Sequence, residues 1–190
     1  MKMALGLALL SVLVGCSDPT GGGELTITKH ENGKTASSGY MLDGAKVGVW
    51  TYWHESDQKK SEGTFKNGKR EGVWASWHAD GKKWSEGAYL DGKREGTWTS
   101  WQESGQKASE SFKSDKREGL WTGWHKNGKK ELEGMFKDDK REGDWTGWHE
   151  SGEKRSEGLF KNDKRDGLWT YWDAKGDVAT ETFKNGELVK

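Results

Sequence analysis

Apolar and polar positions along this chain follow two periods at once. Over short runs they alternate residue by residue, and Val49-Trp50-Thr51-Tyr52-Trp53 is a β-branched and aromatic run that predicts a strand. Over the long range a pair of tryptophans recurs six times: Trp50/Trp53, Trp74/Trp77, Trp98/Trp101, Trp121/Trp124, Trp145/Trp148 and Trp169/Trp172. The steps between pairs are 24, 24, 23, 24 and 24 residues. Each pair sits in nearly the same text: Gly-x-Trp-Thr-x-Trp-His-x-x-Gly-x-Lys, then Ser-Glu-Gly-x-Phe-Lys, then Asn/Asp-Gly/Asp-Lys-Arg-Glu. A fixed period of this length means one supersecondary unit stacked on copies of itself.

One period, Gly48 to Glu71, predicts a β-hairpin. The Trp strand ends in a polar turn at Glu55-Ser56-Asp57-Gln58, Lys59 to Lys66 returns as a second strand, and Asn67-Gly68 turns into the next copy. With a degenerate first copy (Leu25-Thr26-Ile27-Thr28, Asn32-Gly33, Gly39-Tyr40-Met41), residues 24–190 give about seven hairpins. The expected fold is all-β, an elongated single-layer antiparallel meander of about fourteen strands. A four-residue turn at Glu55–Gln58 sets Trp53 opposite Lys60, Trp50 opposite Gly63 and Gly48 opposite Phe65; the next turn sets Gly63 opposite Trp74 and Phe65 opposite Gly72.

In that register the two tryptophans of a pair lie on opposite faces. The first row, Trp50, Trp74, Trp98, Trp121, Trp145 and Trp169, alternates with Gly63, Gly87, Gly134 and Gly158, so each indole covers bare backbone and stabilises the sheet. The second row, Trp53, Trp77, Trp101, Trp124, Trp148 and Trp172, is interleaved with Lys60, Trp84, Ala108, Glu131 and Arg155; Lys60 and Arg155 are expected in cation–π contact. This second row, with Trp84, is the candidate binding surface. Two copies, ending in Phe112 and Phe183, are one residue shorter between Trp and Phe. A slip of one residue exchanges the faces, so either those Phe residues change face or the longer copies carry a bulge at Glu-Gly-x; the bulge is expected.

The first residues follow neither period. Lys2 precedes an apolar run of twelve residues, Met3 to Val14, shorter than the roughly 20 needed to span a bilayer but suited to a signal-peptide core, expected as an N-terminal helix. It ends in Leu13-Val14-Gly15-Cys16, and Cys16 is the only cysteine. These four residues resemble the lipobox of bacterial lipoproteins. The resemblance implies a signal peptide at 1–15, cleavage before Cys16 and lipid on that residue; an ordinary secretory signal is the plain alternative. Residues 16–23 are then the lipidated cysteine and a flexible tether. Ser17 directs such a chain to the outer rather than the inner membrane under the enteric sorting rule.

Charged residues make up 33% of the chain and hydrophobic ones 31%, a balance that leans toward disorder, but 13 Trp supply the apolar area that offsets chain entropy. The net charge of zero gives no basic excess for nucleic acid. His54, His78, His125 and His149 occupy equivalent positions, two strands or about 9.6 Å apart, whereas two ligands of one zinc ion at about 2.0–2.1 Å each lie within about 4 Å of one another. Polar strand ends are the better account, and no metal is expected. The Lys-Arg-Glu turns carry too little net charge for an anion site. Every polar residue type recurs in register, whereas an active site needs a unique constellation; no catalytic residue and no cofactor is expected.

The string Gly-x-Trp-x-x-Trp…Gly-x-Lys…Glu-Gly-x-Phe-Lys-Asn-Gly-Lys-x-x-Gly resembles the MORN-variant repeat, found in proteins often labelled YwqK-type antitoxins, over roughly residues 33–190. The resemblance implies hairpins in a single-layer sheet and roles in protein or membrane association. Three functional readings follow. The first is a non-enzymatic scaffold in the bacterial cell envelope, anchored through the Cys16 lipid, that binds a protein partner or itself. The second is a module for glycan or peptidoglycan using the Trp53 row. The third is antitoxin-like binding of a partner, which sits poorly with an export signal.

Overall fold

The structure of the chain, a computed structural model, describes residues 21–189. The expected signal helix and Cys16 lie outside the described residues. Fifteen strands follow: β1 (Glu24–Lys29), β2 (Thr35–Leu42), β3 (Ala45–Trp53), β4 (Lys59–Lys66), β5 (Lys69–Trp77), β6 (Lys83–Leu90), β7 (Lys93–Trp101) and β8 (Lys107–Lys113), then β9 (Lys116–Trp124), β10 (Lys130–Lys137), β11 (Lys140–Trp148), β12 (Lys154–Lys161), β13 (Lys164–Trp172), β14 (Val178–Lys184) and β15 (Glu187–Leu188). They hydrogen-bond in chain order as one open antiparallel meander. The fold is all-β, as the alternation predicts, with the two-residue β15 added to the expected fourteen strands. Two compact units are distinguished, residues 21–83 with 89–92 and residues 84–88 with 93–189.

The turns follow from the residues placed in them. After each Phe strand, both central turn residues take positive φ: Asn67 and Gly68 at 50° and 77°, Asp138 and Asp139 at 47° and 66°. That is the two-residue turn whose twist matches the strands it joins, and Asn, Asp and Gly tolerate it best.

The register corrects the sequence reading in three places. Gly48↔Phe65, Trp50↔Gly63 and Gly63↔Trp74 are paired as expected. Trp53, however, pairs with Lys59 rather than Lys60, because the ladder shifts between Tyr52 and Trp53 and leaves Lys60 as the extra residue. Glu131 and Arg155 are bypassed in the same way. In the short copies Trp101↔Lys107 and Trp172↔Val178 are reached without any shift. The extra residue of a long copy is thus absorbed in a bulge, but at the start of the return strand and not at Glu-Gly-x. Phe112 keeps the face of its counterparts and is buried. Lastly, Phe65 pairs with Arg70, not Gly72. Gly72 and Val73 loop out of the β4–β5 ladder, with Gly72 at a φ of 66°, a left-handed value that only glycine adopts freely.

The first Trp row makes the core. Trp50, Trp74, Trp145 and Trp169 are each at most 4% exposed. Their indoles lie on Gly39, Gly63, Gly134 and Gly158, and a Cβ added to any of these glycines would fall 2.1–2.3 Å from the ring. The Nε1–H of Trp50, Trp74, Trp98 and Trp169 donates to the carbonyl of Tyr40, Thr64, Ala88 and Leu159. Phenylalanines wedge between the indoles edge-on: Phe65 stands 5.0 Å from Trp74, Phe160 5.1 Å from Trp169. Such T-shaped contacts match ring edges to ring faces.

One copy breaks the rule. Trp121 faces Glu110 where other copies have glycine. It swings instead over Gly123 of its own strand, where a Cβ would meet its Cη2 at 2.6 Å, and stacks on Trp145 at 5.9 Å. The two residues after this Trp are Thr122-Gly123, where the first and last full copies have Thr51-Tyr52 and Thr170-Tyr171. The bare Gly123 is what makes room for the displaced ring.

Candidate interaction surface

The two faces of the sheet are finished differently. In each unit the register shift brings cations over the aromatic rings. Arg70 lies 4.4 Å from the Trp74 ring, Arg94 3.9 Å from Phe112, Arg117 4.3 Å from Phe136, Arg141 4.0 Å from Phe160 and Arg165 4.7 Å from Trp169. Guanidinium planes suit this stacking on aromatic faces. The sequence reading placed these arginines in the Lys-Arg-Glu turns and missed their role. The available signal was the invariable Gly after Arg-Glu or Arg-Asp, which loops out and turns the Arg inward.

The opposite face is left open. Alternation along each strand puts the residue before the core Trp, and the residue before Phe, on this side. Val49, Val73, Leu120, Met135, Leu159 and Leu168 lie here, each more than a third exposed. Between them runs a polar ladder: Thr51 Oγ1 donates to Glu62 at 2.9 Å and Thr122 Oγ1 to Glu133 at 3.0 Å. Lys59 lies 2.8 Å from Glu62, and this ammonium holds the Glu62 carboxyl below its ordinary range.

The second Trp row stands at the turn end of this open face. Trp53, Trp77, Trp101, Trp124, Trp148 and Trp172 are all half-buried, and Trp84 is 54% exposed. Lysines lie over Trp77, Trp124, Trp148 and Trp172, but not the ones the sequence suggested. Lys59 lies over Trp77 at 5.3 Å and Lys154 over Trp172 at 5.8 Å, because the bulge moves Lys60 and Arg155 out of line.

Both edges of the sheet are tied from repeat to repeat. On the Trp edge, the Nε2 of His30, His54, His125 and His149 meets the carbonyl of Trp53, Trp77, Trp148 and Trp172 at 2.8–3.0 Å. A carbonyl only accepts, so Nε2 carries the hydrogen. Among the described residues no group of three or more His, Cys, Asp or Glu is placed to hold a metal ion. On the other edge, the Lys-Arg-Glu turn clasps the turn of the following copy. The Arg141 N–H donates to Asp163 Oδ1 at 2.9 Å, and the Asp163 N–H returns to the Arg141 carbonyl at 3.0 Å. Glu142 accepts from the Asn162 N–H at 2.9 Å. The Arg141 backbone N–H, helped by its guanidinium, holds the Asp163 carboxyl below the usual carboxylate range; Arg94 does the same to Asp115.

Residues 46–67, 117–138 and 141–162 match the MORN repeat variant, and residues 62–73 and 157–178 match the MORN repeat. The chain carries MORN-variant repeats. The three spans of the MORN repeat variant begin inside one Trp strand and end in the turn after its Phe, so the structural hairpin and that sequence repeat coincide. No curated protein matches the chain. The MORN repeat is a non-catalytic repeat type associated with protein or membrane association, and the hollows beside Leu159, Trp148 and Trp172 lie open between turns and strands.

Proposed function

We propose that this MORN-variant chain is a non-enzymatic scaffold of the bacterial cell envelope, held at a membrane through lipid on Cys16, the outer membrane in preference to the inner. Its open sheet face associates with a protein partner. The supporting observation is the inequality of the two faces: one is closed by indoles, phenyl rings and arginines, while the other leaves two apolar pairs of the second unit exposed, Leu120 beside Met135 and Leu159 beside Leu168, with Asp144 on the strand between them. Exposed apolar side chains rimmed by polar groups are the usual mark of a protein interaction site.

A photo-crosslinking residue at Leu120 or Leu159, compared with one at Arg141, tests this in cells. Protein adducts are expected from the first two and not from the third; adducts at neither, or equally at all three, reject the open face as the contact. An adduct of twice the chain mass identifies the partner as a second copy. The anchor is read separately: Cys16→Ser is expected to lose palmitate label and leave the membrane fraction; a wild-type chain that takes up no label rejects lipidation, and an unlabelled variant that stays in the membrane fraction rejects the lipid as the anchor.

A further inference from the structure

Within the second unit, Trp124, Trp148 and Trp172 occupy equivalent places at the ends of β9, β11 and β13. Each ring carries a lysine from the neighbouring return strand: Lys107 at 4.8 Å from Trp124, Lys130 at 5.6 Å from Trp148 and Lys154 at 5.8 Å from Trp172. Two of these lysines also hold a carboxylate, Lys130 to Glu133 and Lys154 to Glu157, both at 2.6 Å. Beside Trp148 an open hollow is lined by Lys130, Ser151 and Gly152. Beside Trp172 another is lined by Lys154, Lys175 and Gly176. The same ring, ammonium and turn glycine therefore recur one repeat apart, with the Lys129 stem lying over Gly152 and Gly176 left bare.

A recurring subsite implies a recurring ligand, and the spacing of two strands, about 9.6 Å, sets its period. The chemistry narrows it further. A polyanion is disfavoured, since the ammonium groups at Trp148 and Trp172 are matched by glutamates in contact with them. What fits is a neutral unit with an apolar flat side and polar rim, able both to donate to a carboxylate and to accept from an ammonium. A pyranose ring has that form: its C–H face stacks on an indole while its hydroxyl and amide groups bond at the edge. In a β-1,4-linked chain alternate sugars present the same face, so the disaccharide is the repeating unit and its length is comparable to two strand spacings.

We propose that Trp124, Trp148 and Trp172, with Lys107, Lys130 and Lys154, are successive subsites for a β-1,4-linked polysaccharide lying across the strands along the turn edge. The lysine above each ring is displaced as the sugar arrives, at little cost because an exposed cation–π contact is weak, and then bonds the sugar's oxygens. Each subsite is weak alone, and affinity comes from several engaged on one chain. The proposal goes beyond the protein-association reading and uses different residues.

The test sediments the full chain, in mild detergent, with insoluble chitin, cellulose or peptidoglycan sacculi, and with insoluble starch as an α-linked control. Retention is expected on at least one β-linked polymer and not on starch; chitin against sacculi distinguishes a plain chain from the cell-wall glycan. Trp148→Ala is expected to weaken retention about two- to tenfold, and Trp124→Ala with Trp148→Ala to weaken it more than either alone. Lys130→Ala, a substitution outside the core, is expected to weaken it as well, and Arg141→Ala on the closed face to leave it unchanged. Near-ultraviolet circular dichroism of each variant separates lost binding from lost folding. No retention of the wild-type chain on any β-linked polymer, equal retention on starch, or retention that survives both the double substitution and Lys130→Ala overturns the proposal.

Discussion

At the residue scale the chain is governed by contacts between an indole and a missing side chain. Gly134 has no Cβ because Trp145 Cδ2 would stand 2.1 Å from it. Gly134→Ala is therefore expected to cost about 1–3 kcal/mol, the usual penalty of overpacking, read as a lowered urea midpoint. Trp145→Ala should cost more, about 3–5 kcal/mol, since it empties a fully enclosed site. Trp121→Ala should cost less than Trp145→Ala: its ring is only half-buried and already displaced by Glu110. An equal loss for Trp121→Ala and Trp145→Ala would show that depth of burial is not what distinguishes them.

At the element scale the hairpin tolerates a change of length at one point only. Glu131 is the residue bypassed between Lys130 and Leu132, and the short copies pair through the same place without it. Deleting Glu131 is expected to leave the far-ultraviolet spectrum unchanged and the melting temperature nearly so. Deleting Gly134, which shifts Met135 and Phe136 by one position, should exchange their faces and abolish the cooperative melt. Between elements, His125 ties its turn to the Trp148 carbonyl at 2.9 Å. His125→Ala is expected to cost about 1 kcal/mol, and to raise amide hydrogen exchange in the turn at 126–129 more than elsewhere in the second unit.

At the scale of the whole molecule, the edge formed by the Lys-Arg-Glu turns makes stability depend on acid. The carboxyls of Asp115 and Asp163 sit below their ordinary range because backbone N–H groups and guanidiniums of Arg94 and Arg141 favour the charged form. A carboxyl depressed in the folded state contributes stability that is fully present above its unfolded pKa and is lost as pH falls through the folded one. The melting temperature is thus expected to hold from neutrality to mild acid and to fall below the normal carboxylate range. Asp115→Asn with Asp163→Asn should lower it at pH 7 and flatten the fall. Both side chains are about half exposed, so the change at pH 7 should be small.

Much of this architecture is legible in the sequence, because a repeat states its own period and strand alternation assigns each Trp of a pair to a face. The hairpins, the pairing of Trp50 with Gly63 and of Trp74 with the same glycine, and the meander order follow from that alone. The register at the two ends of each strand does not. The loss of Gly72 and Val73 from the ladder depends on a left-handed glycine, and the bypass of Lys60 depends on where the turn closes; both are decided by neighbouring strands. Those shifts turn Arg70 and its equivalents onto the aromatic face and set Lys59 rather than Lys60 in line with the second Trp row. Sequence determines which residues alternate, since alternation is a property of one strand; which cation meets which ring is decided only when strands pair, because a single bulge moves everything beyond it.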